Sequence, residues 1–185
     1  MSNLTVADLK DRAVVSIGQA EKIGRVEDVI LDLAEGRVAG FHVRTGLLGG
    51  AKILSAGDIH DIGPDAITVA DRSALEGHAP DQPMLDSLPT SADLIGAKVV
   101  SAAGTLLGTL ANIALDPAAR RVLCYELGGS LWDQLRNEQR TFDPAPGIRF
   151  GKDLIVVPDA VAAELNRRSG APPSPPESLT PPPPV

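Results

Sequence analysis

The stretch GRVEDVILDLAEGRVAGFHV, residues 24–43, decides the fold. Apolar and polar residues alternate, the pattern breaks at Ala34-Glu35-Gly36, and the alternation resumes. A period of two is the mark of a half-buried strand, and a three-residue break containing glycine is a hairpin signal. The stretch returns as GTLANIALDPAARRVLCYEL, residues 108–127. Gly24 and Gly108, Asp32 and Asp116, and Arg37 and Arg121 stand at one constant spacing. Val26, Val29, Leu31, Val38, Phe41 and Val43 fall on Leu110, Ile113, Leu115, Val122, Tyr125 and Leu127, so each apolar position stays apolar. An internal repeat of this kind sets the architecture before any other signal is read.

Working outward, each hairpin acquires the same neighbours. In the first copy, residues 13–17 (AVVSI) read as a strand, GQAEKIG as a turn, and 25–33 and 37–44 as the hairpin. Short strands at 52–54 and 65–70 follow, then Asp71 as a helix N-cap before a brief turn. In the second copy, AKVVSA is the first strand, GTLLG the turn, and 109–116 with 121–127 the hairpin. DLIVVP, 153–158, is the last strand, set a few residues later than its counterpart. Asp159 is read as the N-cap of a helix running through Arg168 and stopping at Gly170. Residues 1–12 read as a polar lead-in. The division expected is 1–75, a linker 76–91 rich in proline and polar residues, 92–169 with its terminal helix, and a tail 170–185. The tail, APPSPPESLTPPPPV, has the composition of a disordered or polyproline II segment.

About five short strands per copy with one apolar face are expected to curl until their edges meet, since closure buries the apolar stripe and removes unpaired edge groups. The class is therefore all-β, with two small barrels in tandem and a short helix after each. A repeat of this size is marginal alone, so the two lobes are expected to touch. Of the 185 residues 43% are hydrophobic but only 3% aromatic, so the core must be built from Val, Ile, Leu and Ala. The net charge of −7 disfavours non-specific nucleic-acid binding, which needs Lys and Arg against phosphate, and adhesion to anionic lipid. No signal-peptide pattern opens the chain and no apolar run reaches the length of a membrane span, so a cytoplasmic location is expected.

Each copy resembles the PRC-barrel family, named for the barrel of the photosynthetic reaction centre H subunit. The residues that carry the resemblance are VVSIGQAEKIGRVEDVILDLAEGRVAGFHV followed by AKILSAGDIHDIGPDAITV. The second copy departs from the pattern. Asn112 replaces Asp28, and NEQRTFDPAPGIRFG stands where the first copy has SAGDIHDIG. The resemblance implies a non-enzymatic docking or assembly module whose partner is a protein, including a second copy of the chain or a membrane complex met peripherally. It also allows a soluble regulator related to the reaction centre H subunit.

Residues with chemical potential are few. Cys124 alternates along a strand and excludes a disulfide framework. Among His42, His60 and His78, only the DIHDI run places carboxylates (Asp58, Asp61) beside a histidine, and further ligands would have to come from the fold. TGLLGGAK lacks phosphate-loop spacing, and no nucleophile elbow surrounds Ser16 or Ser101. No catalytic, metal-binding or cofactor-binding residue is assigned. The exception is a pair of matched apolar doublets, Leu47-Leu48 after the third strand and Leu131-Trp132 at the same place in the second copy. Exposed apolar clusters with tryptophan mark contact surfaces, so these four are candidate docking residues. The alternative is that they cap the barrel ends or pack lobe on lobe. A rival function, an enzyme or a binder of a metal or small ligand, would place its site between the lobes.

Overall fold

The computed structural model describes residues 4–46, 50–75, 82–128 and 140–168. Thirteen strands among these residues form one continuous hydrogen-bonded assembly that curls into two lobes with the same strand order. In the first lobe β2 (Ala13–Ser16), β3 (Glu21–Asp32), β4 (Arg37–Arg44), β5 (Ala51–Ser55), β6 (Ile59–Ile62) and β7 (Ala66–Val69) are ordered β5-β4-β3-β2-β7-β6. In the second, β8 (Lys98–Ser101), β9 (Leu106–Asp116), β10 (Arg121–Gly128), β11 (Arg140–Phe142), β12 (Arg149–Phe150) and β13 (Leu154–Val157) are ordered β11-β10-β9-β8-β13-β12. Each lobe is an antiparallel meander closed by one parallel pair, β2 with β7 and β8 with β13. The expected all-β class and the tandem arrangement therefore hold. The terminal helix, α4, covers Asp159–Arg168.

Three details differ from the sequence reading. Among the described residues each lobe has six strands rather than five. The extra one in the first lobe lies in DIHDI, between the short strands expected at 52–54 and 65–70. A bulge between Ile59 and Asp61 spaces its two buried residues, Ile59 and Ile62, three apart, which hides the period of two. The GQAEKIG and GTLLG turns are partly strand, because β3 and β9 begin at Glu21 and Leu106. Finally, the supposed polar lead-in folds. Leu4–Thr5 forms β1, and Val6–Leu9 forms a single helical turn, α1, whose Val6 and Leu9 are fully buried.

The hairpin turns form for a local reason. Asp32 accepts the Glu35 N–H at 3.1 Å and pairs with Arg37 at 3.0 Å, while Asp116 accepts the N–H groups of Ala118 and Ala119 at 2.9 and 3.1 Å. Such aspartate turns are self-contained, which is why the Asp-to-Arg spacing survives in both copies. The backbones match beyond the turns. Left-handed residues occur at equivalent positions as Gly36 and Arg120, Ala20 and Gly104, and Asp11 and Gly96. Each pair contains glycine in one copy only. Ala20 is exposed, so its strain has no packing to offset it. Replacing Ala20 with glycine is expected to stabilise the chain by about 1 kcal/mol, read as a rise in Tm of about 2–4 °C. No rise would mean that the backbone relaxes there.

One apolar cluster runs through both lobes, built mainly of Val, Leu and Ile, with Phe41 at the centre of the first lobe and Tyr125 at the matching position of the second. Tyr125 stacks on Phe142 with ring centroids 5.0 Å apart and tilts against Phe150 at 5.5 Å. Burial pushes its pKa up to about 12. A smaller cluster lies on the outer face, where Leu85 of α2 (Gln82–Leu85) covers Ile30 and Ala39.

Candidate functional site

The junction between the lobes is built from residues that correspond across the repeat. Thr5-Val6-Ala7-Asp8-Leu9 and Thr90-Ser91-Ala92-Asp93-Leu94 are the same motif, and each precedes a Val-Val-Ser strand. In both, aspartate at the third helical position accepts the N–H of the capping threonine at 2.9 Å, giving α1 and its counterpart α3, Ser91–Leu94. Each motif leaves its own lobe and docks on the other. Leu4 and Thr5 pair with Leu115 and Ala114 of β9, while Thr90 bridges Ile30 of β3 and the Leu31 N–H donates to the Pro89 carbonyl at 2.9 Å.

The side chains that receive the two turns also correspond. Asp28 accepts the Ser91 hydroxyl and the Ala92 N–H at 3.2 Å; Asn112 accepts the Ala7 N–H at 3.4 Å. The change from Asp28 to Asn112, which weakened the sequence match, thus preserves one job with two chemistries. Asp28 is buried and its carboxylate also takes the Val29 N–H at 2.9 Å and lies 3.8 Å from the Lys10 ammonium. Burial alone would raise its pKa. The hydrogen bonds from Ser91, Thr90 and Val29, with Lys10, outweigh that and hold it below the usual carboxylate value.

At the middle of the junction Arg37 and Arg121, equivalent residues, are antiparallel partners. The Val38 N–H donates to the Arg120 carbonyl at 2.8 Å, and the Val122 N–H to the Gly36 carbonyl at 2.9 Å. Reciprocal contacts of this kind define a two-fold, isologous interface, here folded into one chain. One contact breaks the symmetry. The Arg120 guanidinium crosses to the first lobe and donates to the carbonyls of Ala56 and, at 2.7 Å, Ile59, where Gly36 has no side chain to return the contact.

The residues singled out in the sequence fall as follows. Leu47, Leu48, Leu131 and Trp132 lie outside the described residues, as do His78 and the proline-rich tail. His42 is half-buried, facing away from buried Phe41 and Val43, and is the cross-strand partner of Asp28. Asp58, His60 and Asp61 are exposed, and Asp61 caps the N–H of Ile62 at 2.8 Å. Among the described residues no group of three His, Cys, Asp or Glu side chains is placed to hold a metal. Ser16 and Ser101 are buried turn organisers, accepting the N–H groups of Gln19 and Thr105 at 3.3 and 3.1 Å. Burial, then Glu126 and Asp143, raise the pKa of the half-buried Cys124 thiol, which keeps it in its unreactive form.

Sequence reasoning missed a basic hollow of about 530 Å³ at the open end of the β3–β4 pair, lined by Lys22, Ile23, Gly24, Arg25, Arg44 and Gly46. Its signal was present as two arginines flanking the first hairpin, but only the strand register places them opposite each other.

Among the described residues no helix is long and apolar enough to cross a membrane. The family model for the PRC-barrel domain matches the chain in two segments, residues 1–76 and 90–162. No curated protein matches it.

Proposed function

Because the chain belongs to the PRC-barrel domain family and carries the barrel twice, we propose that it is a non-enzymatic docking or assembly module for other proteins. The observation that carries this reading is the isologous junction. Two lobes are held by reciprocal backbone pairs and by Asp28 and Asn112 receiving each other's helical turns. The result is a two-lobed platform held by one apolar cluster that runs through both lobes. The self-complementary face through which a single barrel would pair with a second copy is satisfied within the chain. Partners therefore meet other faces.

The two hairpins supply those faces. From their one shared pair, Arg37 with Arg121, β4 and β10 run in opposite directions. Their far ends, Arg44 and Gly128, lead into the segments that hold Leu47-Leu48 and Leu131-Trp132. These doublets are the proposed contact residues, with the two units spanning about 1–75 and 92–169 joined by 76–91. Against the rival with a ligand site between the lobes stand the backbone pairs and the Arg120 contacts that join them.

The test is affinity capture of partners by the full chain and by the variant with both Leu48→Ala and Trp132→Ala. Loss of the recovered protein in the variant is expected. Unchanged recovery removes the doublets as contact residues, and a stoichiometric metal or small ligand in native mass spectra of the purified chain favours the rival.

A further inference from the structure

Resting on the docking reading, we infer that the hollow bounded by Lys22, Arg25 and Arg44 receives an acidic peptide segment of the protein partner. Arg25 and Arg44 are direct cross-strand partners in the β3–β4 ladder. Like charges placed opposite one another on a sheet destabilise it. Little in the lobe compensates. Among the described residues one carboxylate, Asp11, comes within ion-pair distance, at 3.7 Å from Arg44, and its side chain is 77% exposed. Arg25 donates instead to the Asp11 backbone carbonyl at 3.0 Å.

The second lobe makes the comparison that decides whether the fold requires these cations. Its matching residues are Leu106, Thr109 and Gly128, and Thr109 and Gly128 are cross-strand partners just as Arg25 and Arg44 are. The same backbone therefore forms with no cation at any of these three positions; the nearest ones, Lys98 across from Thr109 and Arg140 on the Leu107 carbonyl, come from other strands. A destabilising pair that the fold does not need is the pattern expected of a binding site.

The geometry narrows the occupant. A Cβ on Gly24 would stand 2.5 Å from Val43 Cγ1 and 3.0 Å from the Arg44 carbonyl oxygen, so glycine keeps the two strands close beside the Arg25–Arg44 pair. A guanidinium matches a carboxylate in bidentate geometry, and Lys22 adds a third charge to the lining. The hollow is far larger than one small anion and suits a few residues of extended chain. In a protein of net charge −7 it is a local site, without the broad basic stripe that nucleic acid requires. Glu or Asp side chains spaced along a peptide fit all of these features.

The experiment is fluorescence anisotropy on the full chain with a labelled peptide of alternating Glu and Gly, beside the same peptide with Gln. Saturable, salt-sensitive binding of the Glu peptide alone is expected, weakened about tenfold by Arg25→Thr or Arg44→Thr. The Tm of both variants should hold or rise, because the like-charge pair is gone; a merely structural role would lower it and leave peptide affinity alone. Binding of the Glu peptide that survives the double variant overturns the inference, as does no binding. So does displacement by inorganic phosphate or by single-stranded oligonucleotide at the concentration at which the peptide binds. If the double variant still recovers the native partner while Leu48→Ala with Trp132→Ala loses it, the hollow fails and the docking reading stands. If the peptide binds as expected while capture recovers no partner, the hollow stands and the contact doublets fail.

Discussion

Tyr125→Ala is expected to lower the stability of the chain by about 3–5 kcal/mol, the range for removing a large buried aromatic. Tyr125 is 1% exposed and sits on the inward face of β10. Its ring holds together Phe142 and Phe150, three of the few aromatic residues in the protein. Stacked and tilted pairs add to the area term, so the loss should exceed that of an aliphatic truncation nearby, such as Ile113→Val at about 1 kcal/mol. Denaturant unfolding followed by circular dichroism reads both. Phe41→Ala should behave alike, because Phe41 occupies the same position in the first lobe and is fully buried. A Tyr125→Ala loss no greater than that of Ile113→Val would mean that the second lobe contributes little to the cooperative unit.

Asp28→Ala should lower stability by about 3 kcal/mol, through a different mechanism. It leaves the Ser91 hydroxyl and the N–H groups of Ala92 and Val29 without their acceptor in a buried place. Asp28→Asn should be much milder, about 1 kcal/mol, because an amide oxygen at Asn112 already does the equivalent work in the second lobe. Since the bond joins the first lobe to the turn that opens the second, the Ala variant should also broaden the unfolding transition, with a smaller m-value. Equal stability of the Ala and Asn variants would remove the carboxylate oxygen from the account.

The same residue predicts a pH dependence. Its pKa is lower in the folded chain than in the unfolded one, so the unfolded chain takes up the proton first as pH falls. The stabilisation is complete above the ordinary carboxylate pKa of about 4 and disappears as pH drops through the folded value. The parent should therefore lose its advantage over Asp28→Asn in that acid window and keep it at neutral pH. A difference between the two that does not change with pH would exclude linkage through Asp28.

Much of the fold was legible because its signals are local. The strand Arg37–Arg44 has the bounds that alternation gives, and the two hairpin turns are capped locally by Asp32 and Asp116. The repeat fixed the two-lobed plan, and the scarcity of aromatics fixed an aliphatic core. The β6 strand was illegible since a bulge shifts Ile59 and Ile62 out of phase. The Thr5–Leu9 and Thr90–Leu94 motifs were visible as a repeat, yet the first lay in the segment that read as a polar lead-in and the second straddled the boundary between linker and second unit.

The sequence by itself determined that this protein is a tandem of curled sheets, because period-two burial, turn chemistry and repetition act over a few residues at a time. Only the tertiary structure decided that each lobe's leading turn docks on the other lobe, that Asp28 and Asn112 are equivalent receivers, and that Arg25 faces Arg44. Those pairings join residues from β3, β4, β9 and the two leading turns, and such long-range partners are chosen by register and by burial of the whole apolar cluster. No local pattern encodes that choice.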